Sequence, residues 1–595
     1  VHTAPGHGAE DFLTGQRYHL EVLSPVDASG RFTGPETAPF EGEEIFAANA
    51  RIIAHLQATG ALMASAPLTH SYPHCWRCHQ PVIFRATEQW FIGMEKHQLR
   101  QRALAAIAEV RWDPAWGQER IGNMLAARPD WCISRQRVWG VPIPVLACAR
   151  CGQYLRDPRV DEQIIALFGR EGSDAWFARP AADFVPAGVR CGCGGGEFVQ
   201  ERDIVDVWFE SGSSFAAVLG DAPADWYCEG GDQYRGWFHS SLLVAVGTRG
   251  QAPYRGVLSH GWVLDAAGRA MHKSLGNVIE PEAVIQQYGA EVLRLWVASV
   301  DFREDVRISP EMLGRLSDAY RKIRNTFRYL LGSLAEFDPR RDVVPEAEME
   351  EMDRHLTREI AQLAGFCHED YEAFAFHRAY QRLFEFCSVS LSAVSLDVMK
   401  DRLYASGPAD PARRSAQTAL WLAAESLVRL FAPLLPFTME EVWRHLPGAT
   451  LAGEARPASV HCASLPAATL PADWPAEMER WSLLMRARAL ALAALEGPRQ
   501  AGKIGSGLEA QITLAAPPAE LEVLRAYGAT RLAELLIVST VTLAEGASLT
   551  ATFAPASGAK CDRCWQFREL GAYAFGGQTH QVCERCRSVL AGLSA

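Results

Sequence analysis

Gly256-Val257-Leu258-Ser259-His260-Gly261-Trp262-Val263-Leu264 runs into Asp265-Ala266-Ala267-Gly268-Arg269-Ala270-Met271-His272-Lys273-Ser274-Leu275-Gly276-Asn277, and Pro281 follows shortly after. This run decides the fold class. Its first part is rich in β-branched and aromatic residues and predicts a strand. Its second part, full of small residues, predicts a loop. From Pro281 onward Val284, Tyr288, Val292 and Leu295 recur at three- and four-residue steps, which predicts a helix. Strand, loop, helix is the α/β arrangement, and such folds hold ligands outside the carboxyl ends of their strands. Lys273 is a point charge suited to phosphate, and Ser274 and the amides near Gly276 add donors. Taken alone, a Lys-Ser pair in a loop is more often merely solvated.

Beyond about residue 310 the periodicity becomes helical throughout. Tyr320, Ile323, Phe327, Leu330, Leu331 and Leu334 form one apolar face, and Arg321, Lys322, Arg324 and Arg328 crowd the rest. Further helical stretches run from about 352 to 402 and from 413 to 446, so this half is predicted to be a helical bundle with Trp421 and Trp443 in its core. The basic run reads equally as an RNA-phosphate contact or as a solvated face. A Pro- and Ala-rich connection is expected over about 448–475, and a strand over 510–514.

A chain of 595 residues is too long for one core, and domains of about 100–200 residues suggest three to five units. The most apolar stretch, 419–435, is interrupted by Glu425 and Arg429 and reads as a buried helix, so no membrane span is expected. The net charge of −12 argues against a small pure nucleic-acid binder, but not against a large enzyme that grips RNA through local patches. Val1-His2-Thr3-Ala4-Pro5 lacks the charged and apolar regions of a signal peptide, and reads instead as the start of a fragment.

Ten of the fifteen cysteines fall in close pairs. Without a secretion signal this favours thiolate metal sites in a reducing cytoplasm. Cys561-x2-Cys564 and Cys583-x2-Cys586 have the spacing of a closed, structural four-thiolate zinc site. Cys148-x2-Cys151 and Cys191-x-Cys193, flanked by Gly152, Gly192 and Gly194, form a second candidate. Cys75-Trp76-Arg77-Cys78 is half a site, read equally as free thiols or as ligands awaiting partners. Cys132, Cys228, Cys367, Cys387 and Cys462 are expected to be core thiols.

The loop at Met271-His272-Lys273-Ser274 resembles the KMSKS loop of the class I aminoacyl-tRNA synthetases, with Lys273 at the second lysine, Ala270 replacing the first and His272 replacing the first serine. Trp131-Cys132-Ile133-Ser134-Arg135-Gln136-Arg137-Val138-Trp139-Gly140-Val141-Pro142 and Asp206-Val207-Trp208-Phe209-Glu210-Ser211-Gly212 are similar to the isoleucine branch of that class. So is Glu229-Gly230-Gly231-Asp232-Gln233-Tyr234-Arg235-Gly236-Trp237-Phe238. The resemblance implies that Met271, His272, Lys273 and Ser274 serve ATP, with Lys273 catalytic, and that Glu229, Gly230, Asp232 and Gln233 line the aminoacyl-adenylate pocket. It also implies zinc at both complete clusters, with Cys75 and Cys78 completed by earlier cysteines.

The opening His2-Thr3-Ala4-Pro5-Gly6-His7-Gly8-Ala9-Glu10-Asp11-Phe12 resembles the hydrolytic pocket of the editing insertion, which implies that His2 lines it and Asp11 holds the amino group of a mischarged amino acid. Such editing has a chemical reason. One methylene discriminates by only about 1–3 kcal/mol, a limit for which the isoleucine and valine pair is itself the standard illustration.

The expected fold is therefore multidomain: an α/β Rossmann-like catalytic core (second half), an α-helical bundle anticodon-binding domain and small zinc modules. Expected boundaries are 1–68 for the end of the editing insertion and 69–310 for the catalytic core, with a zinc-binding insertion at about 145–200. The anticodon-binding domain is expected over 311–470, a mixed region over 471–558 and a zinc module over 559–595. The expected function is ligation of isoleucine to tRNA(Ile) from ATP with Mg2+, by a monomer that binds no membrane. The alternatives are the valine enzyme or a non-catalytic zinc-containing tRNA-binding protein. The family's other ATP motif, His-x-Gly-His, does not occur in the sequence, so these residues alone are expected not to activate isoleucine.

Overall fold

The computed structural model describes all residues except 1, 76–77, 449, 452–453 and 594–595. It divides into two units, Val1–Leu258 and Ser259–Ala595.

The first unit opens with helix α1 (Ala9–Tyr18). Its core is a sheet of β1 (Arg111–Asp113), β4 (Ala224–Gly230) and β5 (Tyr254–His260), with β5 in the middle. β5 runs parallel to β1, with Trp112 opposite Val257. Between them in sequence lie the short paired strands β2 (Leu146–Cys148) and β3 (Phe198–Gln200), which frame one cysteine cluster, and helix α2 (Val207–Gly212). Helix α3 (Trp237–Arg249) packs on the sheet. Phe238, Leu242, Leu243 and Val246 are buried on it with Trp112, Tyr254 and Val257. It is buried continuously from Phe238 to Val246, with His239, Ser240 and Ser241 among the enclosed residues, and Gly250 in the left-handed region ends it.

The second unit continues with β6 (Val263–Leu264), parallel to β7 (Val306–Arg307). The single helix expected after Pro281 is two, α4 (Pro281–Tyr288) and α5 (Ala290–Ser299), because Gly289 sits at φ 88° and breaks the helical path. Val284 and Val292 nevertheless reach one core, so the periodicity identified the buried face but not the break.

Helix α6 (Pro310–Ser333) starts where the Ser309 hydroxyl accepts from the Met312 amide at 3.3 Å, with Pro310 in the first turn. Ile323, Phe327 and Leu330 are buried, as their spacing required. The stretch expected over 352–402 splits into α7 (Glu351–Glu372), α8 (Phe376–Glu385), a π-helix (Phe386–Ser395) and α9 (Leu396–Ala405). Phe374, at φ 52°, makes the first break. The stretch over 413–446 is likewise two helices, α10 (Pro411–Phe431) and α11 (Pro436–His445), separated at Pro433 and Pro436, where an amide donor is missing. Trp421 and Trp443 are buried.

Helix α12 (Trp474–Gln500) follows, and then a sheet with β8 (Ala510–Ala516) between β9 (Thr540–Glu545) and β10 (Thr550–Pro555). Strand β8 alternates buried and half-buried residues, with one face on α12. The 510–514 strand is thus present and slightly longer. Among the described residues no helix is long and apolar enough to cross a membrane.

Candidate functional site

In the first unit the three stretches that carried the resemblance converge. Asp206, buried at the start of α2, accepts from Trp131 Nε1 at 3.0 Å and pairs with Arg135 at 2.9 Å. Trp237 Nε1, from α3, donates to the Ser211 carbonyl and to Ser214 Oγ, both at 3.0 Å. At Gly236 a Cβ would stand 2.8 Å from the Trp208 ring and 2.5 Å from Gln233 Oε1, so only glycine permits this approach.

Glu229, Gly230, Asp232 and Gln233 form the turn from β4 into α3, at the carboxyl end of a strand. Gln233 Oε1 accepts from the Trp237 amide at 2.9 Å, satisfying an orphan donor at the helix start, and its Nε2 donates to Asp232 at 3.1 Å. Glu229 and Asp232 are exposed, and Glu229 accepts from the Gly230 amide at 2.9 Å. Gln233 thereby aims Asp232, while Tyr227 stacked on Trp237 at 4.0 Å stiffens the wall behind. Of the aromatics, Phe238 is buried, Trp237 is half-buried and Trp208 is exposed.

Sequence reasoning missed His239, one residue further. It is buried, and burial followed by repulsion from Arg128 lowers its pKa to about 4, against a smaller opposing bond to the Tyr234 backbone.

In the second unit the loop after β6 is held by a clasp that the sequence did not signal. The Asp265 carboxylate accepts from the amides of Ala267 and Arg269, at 2.9 and 2.8 Å, and from Asn277 Nδ2 at 2.9 Å. Arg269 pairs with it at 2.9 Å. Asn277 also accepts from the His272 amide at 2.9 Å and donates to the Ala270 carbonyl at 3.1 Å. The Asn277 bond, ahead of the Arg269 amide, holds the Asp265 pKa well below the usual carboxylate range. Met271 packs against the core of α4 and α5. His272, Lys273 and Ser274 are exposed. The clasp thus presents a cation and a hydroxyl on a shaped loop, an arrangement that can meet an anionic phosphate.

The cysteine clusters assemble as the spacing predicted. Within each of Cys148/Cys151/Cys191/Cys193 and Cys561/Cys564/Cys583/Cys586 the sulfurs lie within 4.8 Å of one another. Cys148–Cys193 and Cys151–Cys191 are 3.6 Å apart, and Cys564–Cys583 is 3.8 Å. A tetrahedron with metal–sulfur bonds of about 2.3 Å has edges of about 3.8 Å, so both donor sets fit zinc. The second cluster is wholly buried, whereas Cys151 and Cys193 of the first are exposed.

Among the described residues Cys75 and Cys78 join no group of three or more such donors, and Trp76 and Arg77 between them lie outside the described residues. The expectation of five core thiols holds for two. Cys367 and Cys387 are buried and burial pushes both up to about 12, but Cys132, at the end of a two-residue strand, is half-buried, and Cys228, within β4, and Cys462, in a short 3-10 helix, are exposed.

At the start of the chain Asp11 Oδ2 accepts from the Ala4 amide at 2.8 Å, two residues from His2, which is exposed. Arg321, Lys322, Arg324 and Arg328 are all exposed on α6.

Residues 21–309 match the family described as tRNA synthetases class I (I, L, M and V), and residues 353–514 match the anticodon-binding domain of tRNA ligase. The chain belongs to the class I tRNA synthetases. It is 48% identical to the isoleucine–tRNA ligase of Syntrophotalea carbinolica, over 99% of this chain and 64% of that protein. The isoleucine–tRNA ligases of Nitratidesulfovibrio vulgaris and Geobacter sulfurreducens are 49% and 47% identical, again over 99% of this chain and 64% and 65% of theirs. The chain therefore spans just under two thirds of the length of these relatives. A class I catalytic region and a helical anticodon-binding domain are thus both present, and the anticodon match runs on to residue 514, through α12 and into β8.

Proposed function

We propose that the chain serves ATP-dependent ligation of isoleucine to tRNA(Ile) by a monomer in the cytoplasm. Identity of 46–49% to isoleucine–tRNA ligases, over essentially the whole chain, carries the reading. The isoleucine carboxylate attacks the α-phosphate of ATP, expelling pyrophosphate and leaving isoleucyl-adenylate. The terminal ribose hydroxyl of the tRNA then attacks the acyl carbon and releases AMP. No protein nucleophile is required; the protein supplies position and charge.

Lys273 balances charge developing on the phosphates, with Mg2+ accompanying ATP, and Met271, His272 and Ser274 shape the loop around them. Glu229, Gly230, Asp232 and Gln233 hold the adenylate from a Rossmann-like core. The exposed carboxylates of Glu229 and Asp232 suit the ammonium and ribose hydroxyls of that intermediate. His2 and Asp11 belong to the editing pocket that removes valine. Zinc, held by Cys148, Cys151, Cys191 and Cys193 and by Cys561, Cys564, Cys583 and Cys586, is structural, since four thiolates leave no open position. Cys75 and Cys78 are candidate ligands of a further site.

The deciding experiment is ATP–pyrophosphate exchange by the product of the complete reading frame, with isoleucine and valine compared. Exchange at least about 100-fold more efficient with isoleucine supports the reading, and equal or inverted preference refutes it. The 595 residues alone are expected to give no exchange, for want of His-x-Gly-His.

A further inference from the structure

The two cysteine tetrads share a geometry but not a setting. Cys561, Cys564, Cys583 and Cys586 are all buried, and form a small core with Ala405 of α9, Val582 and Leu590. In the other tetrad Cys148 and Cys191 are buried, whereas Cys151 and Cys193 are exposed.

The sequence explains the opening. Cys191-Gly192-Cys193-Gly194-Gly195-Gly196 puts four glycines within six residues, so this turn has no side chains with which to cover its sulfurs. Gly152 follows Cys151 in the facing turn. At Gly152, Gly192 and Gly194 a Cβ would meet nothing within 4 Å, so the space around these turns is open. At Gly195 a Cβ would stand 3.0 Å from Cys148 Sγ and 3.4 Å from Cys193 Sγ, so a side chain there would crowd the cluster.

The way the sulfurs pair matters more. Cys193 lies 3.6 Å from Cys148, and Cys151 lies 3.6 Å from Cys191. Each contact joins an exposed sulfur to a buried one. In the C-terminal tetrad the contact of Cys564 with Cys583, at 3.8 Å, joins two buried sulfurs. Thiolate oxidation follows exposure, and the sulfenic acid that forms is captured by a thiolate beside it. The first tetrad thus has two points of entry, each next to a resolving partner, and the second has no exposed sulfur to attack.

We propose that Cys148, Cys151, Cys191 and Cys193 form a reversible oxidation site, at which peroxide converts the four thiolates to Cys148–Cys193 and Cys151–Cys191 disulfides and frees the zinc. The sulfur of Cys193, or of Cys151, attacks one peroxide oxygen; the O–O bond breaks, leaving a sulfenic acid and a hydroxide. The buried thiolate of Cys148, or of Cys191, then attacks the sulfenic sulfur, forming the S–S bond and expelling a second hydroxide. Two electrons pass from each thiolate pair to one peroxide, so two disulfides consume two peroxides and release four hydroxides. Thiolates are the zinc ligands, so their loss ends the hold on the metal. A dithiol reductant reverses both bonds by exchange.

The local fold can survive this change. The disulfides would join residues 45 and 40 positions apart, across the base of the insertion. The insertion also has an apolar core apart from its cysteines, with Val160, Ile164, Leu167, Trp176 and Phe184 buried in it. In the C-terminal module the cysteines are themselves part of the core. The inference rests on the structural-zinc reading given above.

The test adds hydrogen peroxide to the zinc-loaded 595-residue chain, reads freed zinc with a chromogenic chelator and maps disulfides by peptide mass spectrometry. One zinc ion should leave at least about tenfold faster than the other, together with formation of the Cys148–Cys193 and Cys151–Cys191 disulfides. Far-ultraviolet circular dichroism should be unchanged at that stage, and dithiothreitol followed by zinc should restore full metal content. Release of both ions at one rate, earlier loss from the C-terminal tetrad, or release with sulfinic and sulfonic acids in place of disulfides would overturn the inference and leave the zinc reading standing. A chain purified without chelator that holds no zinc would overturn both.

Discussion

Replacing Arg402 by methionine should cost this protein much of the stability of its helical region. Arg402 on α9 grips Asp353 on α7 with two bonds of 2.7 Å each, and the Ser415 hydroxyl of α10 adds a third at 2.6 Å. The Asp353 side chain is fully enclosed and that of Arg402 is 7% exposed. Arg402→Met keeps the packing of the stem but leaves a carboxylate with one hydroxyl for company, and breaking a buried pair in this way costs about 3–5 kcal/mol. Against a typical domain stability of about 5–15 kcal/mol this is severe. With a urea slope of about 2 kcal/mol/M, the unfolding midpoint should fall by about 1.5–2.5 M, read by circular dichroism and tryptophan fluorescence.

The double variant Arg402→Met/Asp353→Leu removes both charges and should recover most of that loss. The damage should also reach the C-terminal cysteine module, because Asp401, next to Arg402, holds Arg585 by bonds of 2.5 and 2.8 Å. A midpoint shift under 0.5 M for Arg402→Met, or a double variant no better than the single, would refute the reasoning.

Elemental analysis of chelator-free protein should find two zinc ions per chain, and Cys583→Ser should leave one; finding none in the wild type defeats the structural-zinc reading. His355, stacked between Trp474 and Trp481 and bonded to Glu477 at 2.8 Å, has its pKa lowered to about 4 by burial, which outweighs the carboxylate beside it. A depressed histidine is protonated more readily in the unfolded chain, so its contribution is present above about pH 6.5 and is lost as pH falls toward 4. Between pH 7 and 5 the wild type should lose about 2 kcal/mol more than His355→Gln in urea titrations; parallel pH profiles would exclude this. In the complete enzyme Lys273→Ala should lower pyrophosphate exchange by about 10²–10³-fold with little change in the KM for isoleucine, and a mainly KM effect would contradict a transition-state role.

The sequence made some features legible for local reasons. A C-x-x-C or C-x-C turn carries its geometry within three or four residues, so both tetrads could be paired on spacing alone. The apolar faces of α4, α5 and α6 were equally readable, because burial follows helical period whether or not the helix is continuous. What stayed hidden depends on single backbone angles or distant partners. Gly289 and Phe374 break helices at positions the periodicity spans without a gap. Cys228 and Cys462 carry no mark separating them from the buried Cys367 and Cys387. Asp265 and Asn277 were visible as the ends of a loop, but nothing in their spacing showed that they hold one another.

That bond ties the two ends of the loop together. The conformation of residues 265–277 is held through main-chain amides, the Ala270 carbonyl and the side chains of Asp265, Arg269 and Asn277; the side chain of residue 270 takes no part. The cationic strength of the loop is therefore separable from its shape. Alanine at position 270 carries no charge and takes no part in the clasp, and a lysine placed there would add charge to a frame already built to carry it.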